Sequence, residues 1–155
     1  MWPAAKPLFK RLGELGDAIA LREGQRQLSY AQLLHEVEQR SNQLLEHGAR
    51  RVALALDNGI DWVLWDLATL RAGLICVPVP GFFSSSQQLH VLDSAGIDCL
   101  IGTQAHPGFV QATPDLHLRP VHQVPAVHAG TCKITYTSGT TGQPKGVCLD
   151  IATQL

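Results

Sequence analysis

Val52-Ala53-Leu54-Ala55-Leu56-Asp57-Asn58-Gly59 opens the stretch whose pattern decides the fold. Val52 to Leu56 is a continuous apolar run, as expected of a strand covered on both faces and hence of a parallel sheet. Asn58 is suited to cap a helix running to about Ala72 and stopping at Gly73. Ile60, Trp62, Val63, Trp65, Leu67 and Leu70 cover most of that helix's circumference, so it is predicted to lie buried between layers. Ile75-Cys76-Val77 reads as the next strand, closed by Pro78 and Pro80. A third helix from Ser86 to Gly96 and a third strand, Cys99-Leu100-Ile101, complete a βαβαβ pattern. Crossovers of this kind imply parallel strands joined right-handedly. The expected fold class is therefore α/β, a layered, parallel-rich sheet with flanking helices. The order of its strands is not legible.

Upstream, Leu8 to Leu15 reads as a short helix. Ala18-Ile19-Ala20-Leu21 and Gln27-Leu28-Ser29 flank Glu23-Gly24 as a hairpin. Tyr30, Leu33, Leu34, Val37, Leu44 and Leu45 fall at helical spacing and predict an amphipathic helix from Tyr30 to His47. Ser29 with Gln32 forms its capping box, and Gly48 suits its C-terminal end. Downstream, Pro107, Pro114, Pro120 and Pro125 punctuate residues 105–130. That segment is expected to hold one or two short strands and to act as a mobile connection.

With 155 residues the chain is about one domain long and large enough for a core. A formal net charge of −1 gives no reason to expect nucleic acid or an anionic membrane as a partner. The greasiest stretch, Trp62 to Phe83, is broken by Asp66, Arg71, Pro78 and Pro80, so it reads as buried helix and strand, with no membrane span. The N-terminus lacks an apolar run of signal-peptide length, and the cytoplasm is the expected location. Cys76, Cys99, Cys132 and Cys148 form no Cys-x-x-Cys pair and read as reduced core thiols.

The chemistry-bearing stretch is Lys133-Ile134-Thr135-Tyr136-Thr137-Ser138-Gly139-Thr140-Thr141-Gly142-Gln143-Pro144-Lys145-Gly146-Val147. A β-prone run, Ile134 to Thr137, leads into a loop with little side-chain bulk. Glycines let backbone N–H groups converge on an anion, hydroxyls add donors, and Lys145 adds a mobile positive charge. For a generic glycine-rich loop, composition alone favours a plain surface turn between strands. A Walker-type loop is excluded, because that motif needs Gly-Lys-Ser/Thr entering a helix. Here Lys145 lies between Pro144 and Gly146 and a β-prone Val147-Cys148-Leu149 follows.

Other constellations favour structural roles. His117, His122 and His128 match no compact metal-ligand spacing and read as solvated loop residues; no metal site is expected. Trp62 and Trp65 read as core. Phe82-Phe83 reads as a plug at the sheet edge rather than the lining of an acyl channel. No catalytic triad or paired-carboxylate site stands out.

The string from Tyr136 to Val147 resembles the phosphate-binding loop of the adenylate-forming (AMP-binding) enzymes: acyl- and aryl-CoA synthetases, luciferases and peptide-synthetase adenylation domains. Leu28-Ser29-Tyr30-Ala31-Gln32-Leu33 and Leu70 to Val79 look like two earlier motifs of the same family. Peptide-synthetase domains usually carry an acidic residue soon after the second motif's proline; here Val79-Pro80-Gly81 follows, which leans towards the CoA-synthetase type. The resemblance implies ATP, with Mg2+ carried by the nucleotide, as the bound cofactor, and a small-molecule carboxylic acid as substrate. The acid attacks the α-phosphate to give acyl-adenylate and pyrophosphate, and CoA or a carrier-protein thiol takes the acyl group.

By the same resemblance, residues 136–147 are the phosphate loop. Thr137, Ser138, Gly139, Thr140, Thr141, Gly142 and Lys145 bind the cofactor's phosphates, and no catalytic residue is assigned. Lys145 is not the family's catalytic lysine. The adenine and carboxylate motifs of the family lie after the position of Leu155. Residues 1–155 are thus expected to be a truncated N-terminal part of an adenylation domain, inactive alone and prone to self-association. Two other classes stay open: a non-enzymatic nucleotide-binding module, and a structural or interaction fragment with a vestigial loop.

Overall fold

The computed structural model describes residues 1–139 and 142–154. Its centre is a seven-stranded sheet in the order β6-β7-β5-β3-β4-β8-β9. The strands are β3 (Arg51–Leu54), β4 (Ile75–Pro78), β5 (Cys99–Ile101), β6 (Val110–Gln111), β7 (Leu116–Leu118), β8 (Lys133–Thr137) and β9 (Lys145–Leu149). The four central strands β5-β3-β4-β8 run parallel, and both margins are antiparallel. The parallel, layered α/β architecture expected from the apolar runs is the one observed.

Strand residues alternate between two cores, which is why the central runs are apolar without interruption. Val52, Leu54, Cys76, Cys99 and Ile101 face one layer. That layer is built by α1 (Lys6–Gly13), α2 (Tyr30–Glu46) and α3 (Ile60–Ala72). Ala53, Val77, Leu100 and Ile134 face the other, covered by α4 (Ser85–Ser94). Leu54, Leu64 and Leu100 are essentially inaccessible, and each contributes about 1.5–3 kcal/mol by leaving water. The hairpin β1 (Ile19–Glu23) and β2 (Arg26–Ser29) stands apart as a two-stranded sheet. The Ser29–Gln32 capping box at the start of α2 forms as expected.

Several boundaries differ from the sequence reading, each for a local reason. The strand expected at Val52–Leu56 ends at Leu54, and Leu56 and Asp57 turn out of the sheet to line a cleft. Asn58 does not cap α3: Gly59 occupies that position, and the Glu23 carboxylate at the end of β1 accepts the Ile60 N–H at 3.4 Å. A tertiary contact replaces the local cap. α4 begins one residue before Ser86, because Ser84 and Gln87 form a second capping box. His117 is not a solvated loop residue: it lies on β7, 5% exposed, and its Nδ1 has no partner among the described residues. His122 and His128 are exposed.

Residues 105–130 contain the two short strands expected, β6 and β7. Of the Phe82-Phe83 pair expected to plug the sheet edge, Phe83 is buried in the core beneath α4 and Phe82 is 81% exposed. Among the described residues no helix is long and apolar enough to cross a membrane. α3 and β4 account for the greasy stretch, and α3 packs against α2 with the Arg40 guanidinium 5.5 Å from the Trp65 ring centre.

All four cysteines are free thiols; Cys76, Cys99 and Cys132 are buried, while Cys148 on β9 is half-buried. Burial, with the Asp98 charge beside it, pushes the Cys99 thiol up to about 12. The unfolded chain gives up this proton near its ordinary value of about 8.5, so it binds fewer protons than the native state at higher pH. Stability should therefore fall as pH rises from roughly 8.5 towards 12. Urea unfolding at a series of alkaline pH values should show a shallower decline in Cys99→Ala than in the wild type.

Candidate functional site

The glycine-rich stretch is the turn of the β8–β9 hairpin. Lys133 pairs with Leu149, Tyr136 with Gly146 and Thr137 with Lys145. β8 runs parallel to β4, with Cys76 level with Lys133. In that register Pro78, the last residue of β4, is level with Thr135. Tyr136, Thr137 and the turn consequently project past the carboxyl edge of the parallel strands. Open α/β sheets bind ligands outside this edge.

Thr137, Ser138, Gly139, Gly142 and Lys145 are all exposed around this turn. Gly142 has φ +91, a conformation that residues with a Cβ rarely adopt. Thr140 and Thr141, assigned to the same loop from sequence, lie outside the described residues. No carboxylate among the described residues pairs with Lys145, so its charge is available to an anion.

The lysine on the other arm differs. Lys133 is largely buried and sits 2.8 Å from Asp66 of α3, whose Oδ1 also accepts the Cys76 thiol at 3.2 Å. Alternation along β8 turns Lys133 towards α3 and Ile134 and Tyr136 towards α4. One cation of the hairpin is thus committed to the fold, and the other is left at its tip.

Two features of the surroundings were not legible in the sequence. The first is an open cleft of about 360 Å³ on the same carboxyl edge, lined by residues following β3, β4 and β5: Asp57, Gly81, Thr103 and Gln104, together with Gln88 of α4. It lies where the chain moves from one side of β3 to the other, the crevice such sheets use for ligands. The second is the attachment of the hairpin to α4. Tyr136 Oη is 2.8 Å from Ser94 Oγ, and His90 Nε2 donates to the Pro144 carbonyl at 3.0 Å. The only local signal was the four-residue spacing of His90 and Ser94, which has meaning only once the hairpin is known to pack there.

At the carboxyl edge of a parallel α/β sheet the chain thus carries an exposed glycine-rich hairpin and a lysine with no carboxylate partner among the described residues. Residues 8–154 match the AMP-binding enzyme family, and the chain belongs to that family. The chain is 28% identical over 151 residues to syringomycin synthase SyrB1 of Pseudomonas syringae pv. syringae, covering 88% of this chain and 25% of that protein. It is 32% identical over 142 residues to a probable non-canonical nonribosomal peptide synthetase, CymA, of Salinispora arenicola, covering 89% of this chain and 2% of the relative.

Among solved structures, the Klebsiella oxytoca NpsA N-terminal subdomain in complex with 3-hydroxybenzoyl-AMSN superposes with a TM-score of 0.74 at 24% identity, covering 93% of this chain and 40% of that one. The o-succinylbenzoate CoA synthetase MenE of Bacillus subtilis, in complex with its acyl-adenylate intermediate, gives a TM-score of 0.74 at 23% identity, covering 92% and 42%. The shared fold is that of the N-terminal subdomain of adenylate-forming enzymes. The chain spans a quarter or less of the length of these two curated relatives.

Proposed function

We propose that this chain supplies the polyphosphate-holding part of an ATP-dependent acid–thiol ligase. The observation that carries the reading is the exposed hairpin end at the sheet's carboxyl edge, where Lys145 has no carboxylate partner among the described residues while Lys133 is consumed by Asp66. Thr137, Ser138, Gly139, Gly142 and Lys145, with Thr140 and Thr141 of the same loop, are the residues that would hold the phosphates. Thr137, Ser138, Gly139 and Gly142 are exposed and offer small hydroxyl and backbone N–H donors, and donors fixed at a developing negative charge stabilise it. In such a ligase a carboxylate would attack the α-phosphate of ATP, forming acyl-adenylate and releasing pyrophosphate, and a thiol would then take the acyl group with AMP as the leaving group. The chain's share is to bind and orient the leaving phosphates.

Two acceptors are compatible with this reading. Val79-Pro80-Gly81, without an acidic residue after Pro78, favours a CoA-type ligase. The likeness to CymA, a probable non-canonical nonribosomal peptide synthetase, favours a carrier-protein thiol. Trapping the acyl group on CoA or on a phosphopantetheinylated carrier, with an enzyme that contains this chain, separates the two.

The phosphate role is tested on the 155-residue chain itself. Calorimetry with tripolyphosphate and with Mg-ATP should give weak binding of similar strength, since the contacts proposed are to phosphates. Amide exchange at Ser138, Gly139, Gly142 and Gln143 should slow on adding either ligand. Three or four hydrogen bonds to charged oxygens, at about 1.5–3 kcal/mol each, are enough to order these residues. No binding, with exchange unchanged, would return the hairpin to a plain structural turn. Pyrophosphate exchange by the chain alone, with a panel of fatty and aromatic acids, is expected to stay at the blank.

A further inference from the structure

We propose that His90 of α4 is a positioning residue for the phosphate hairpin, holding the Pro144–Lys145 backbone against α4; this rests on the polyphosphate reading above. Both arms of the hairpin are tied to one face of one helix. His90 and Ser94 lie four residues apart on α4, so they are neighbours on that face. Ser94 meets Tyr136 Oη on β8, and His90 Nε2 meets the Pro144 carbonyl, one residue before Lys145. A carbonyl only accepts, so Nε2 carries the proton and donates. The His90 and Tyr136 rings stand edge to face, 6.4 Å between centres and 88° between planes.

The opposing strand is shaped to this arrangement. Tyr136 pairs with Gly146, and a Cβ on Gly146 would come within 3.0 Å of both the Tyr136 ring and Ile134. The ring therefore lies across bare backbone, with its hydroxyl reaching α4. α4 is itself anchored by Val91 and Leu92, which are buried, and its Gln88 lines the cleft. One helix thus touches both the cleft and the backbone immediately before Lys145. Phosphate donors need fixed placement to work, and a side chain that sets the Pro144–Lys145 backbone sets where the ammonium starts.

The test compares tripolyphosphate affinity and hairpin amide exchange in the wild-type chain, His90→Ala, His90→Gln and Lys145→Ala. His90→Ala should bind about tenfold more weakly, the loss expected of one hydrogen bond, and should exchange faster at Lys145 even without ligand. A glutamine amide nitrogen lies as many bonds from Cα as His Nε2, so His90→Gln should bind within about twofold of wild type. Equal thermal midpoints in the alanine and glutamine variants, with unequal affinities, separate positioning from stability. Full affinity in His90→Ala alongside a large loss in Lys145→Ala overturns the proposal and leaves the polyphosphate reading standing. Equal weakening in the alanine and glutamine variants also overturns it. Failure of the wild-type chain to bind tripolyphosphate overturns the polyphosphate reading, and with it the functional role given to His90.

Discussion

Lys145→Ala is expected to weaken tripolyphosphate binding by roughly 10- to 100-fold. A hydrogen bond to a charged group is worth about 1.5–3 kcal/mol, and each 1.4 kcal/mol is tenfold in affinity. Lys145 lies at the first position of β9, exposed, with no carboxylate partner among the described residues, so its truncation should leave the fold intact. The control is Lys133→Ala on the facing arm. There the loss would leave Asp66 without its cation in a largely buried setting, and the effect should appear as lowered stability. Calorimetric titration at fixed ionic strength, beside thermal melts of both variants, makes the comparison. Equal affinity in wild type and Lys145→Ala would remove the lysine from the site. The salt must be held constant because exposed charges are screened beyond about 10 Å at 0.1 M.

The largest stability effect outside the apolar core should come from Asp98→Ala, at about 2–4 kcal/mol, since leaving a buried donor unmatched costs about 1–3 kcal/mol. Asp98 lies at the amino edge of the sheet, immediately before β5, and is 8% exposed. Its Oδ1 accepts the backbone N–H groups of Arg50 and Arg51, both at 3.0 Å, and its Oδ2 accepts Arg50 Nε at 3.1 Å. The ion pair contributes little, because the Arg50 side chain is mostly in water. The cost arises from the two donors at the start of β3 and from the buried Arg51 guanidinium nearby. That guanidinium donates to the carbonyls of Ala95 and Pro125, joining the end of α4 to the connection before β8. Burial already lowers the Arg51 pKa, opposed by the Asp98 charge. A thermal midpoint falling by about 5–15 °C is expected for a chain of this size, and Asp98→Asn, which keeps one acceptor, should lose about half as much. Denaturant midpoints with an unchanged slope would confirm that the native state is the one affected.

What the sequence determined by itself is local or periodic. Val52 to Leu56, Ile75 to Val77 and Cys99 to Ile101 are apolar at every position, and only a strand covered on both faces needs that pattern. Ser29 with Gln32 sets the start of α2 through bonds that close within four residues. The unbroken string from Tyr136 to Val147 marks the hairpin and its glycines, and the family membership agrees with it. Even the helix at Ile60–Ala72 was legible, although its cap was not, because Glu23 arrives from a different element.

Tertiary structure alone decided how these pieces face one another. Strand order depends on which crossover passes over which face, and no side chain records it. His117 has a loop-like neighbourhood of prolines, yet β7 joins the sheet beside β5 and buries it. The sequence singled out Lys145 for the phosphate loop but gave no destination for Lys133 at the other end of the same stretch. The alternation of β8 turns Lys133 onto Asp66, 67 positions away, and the turn leaves Lys145 in solvent. His90 and Pro144 are separated by 54 positions, and their bond exists only because α4 lies across the face that Tyr136 occupies. Contacts at such separations are products of packing, which fixes side-chain direction after the local pattern has fixed the element.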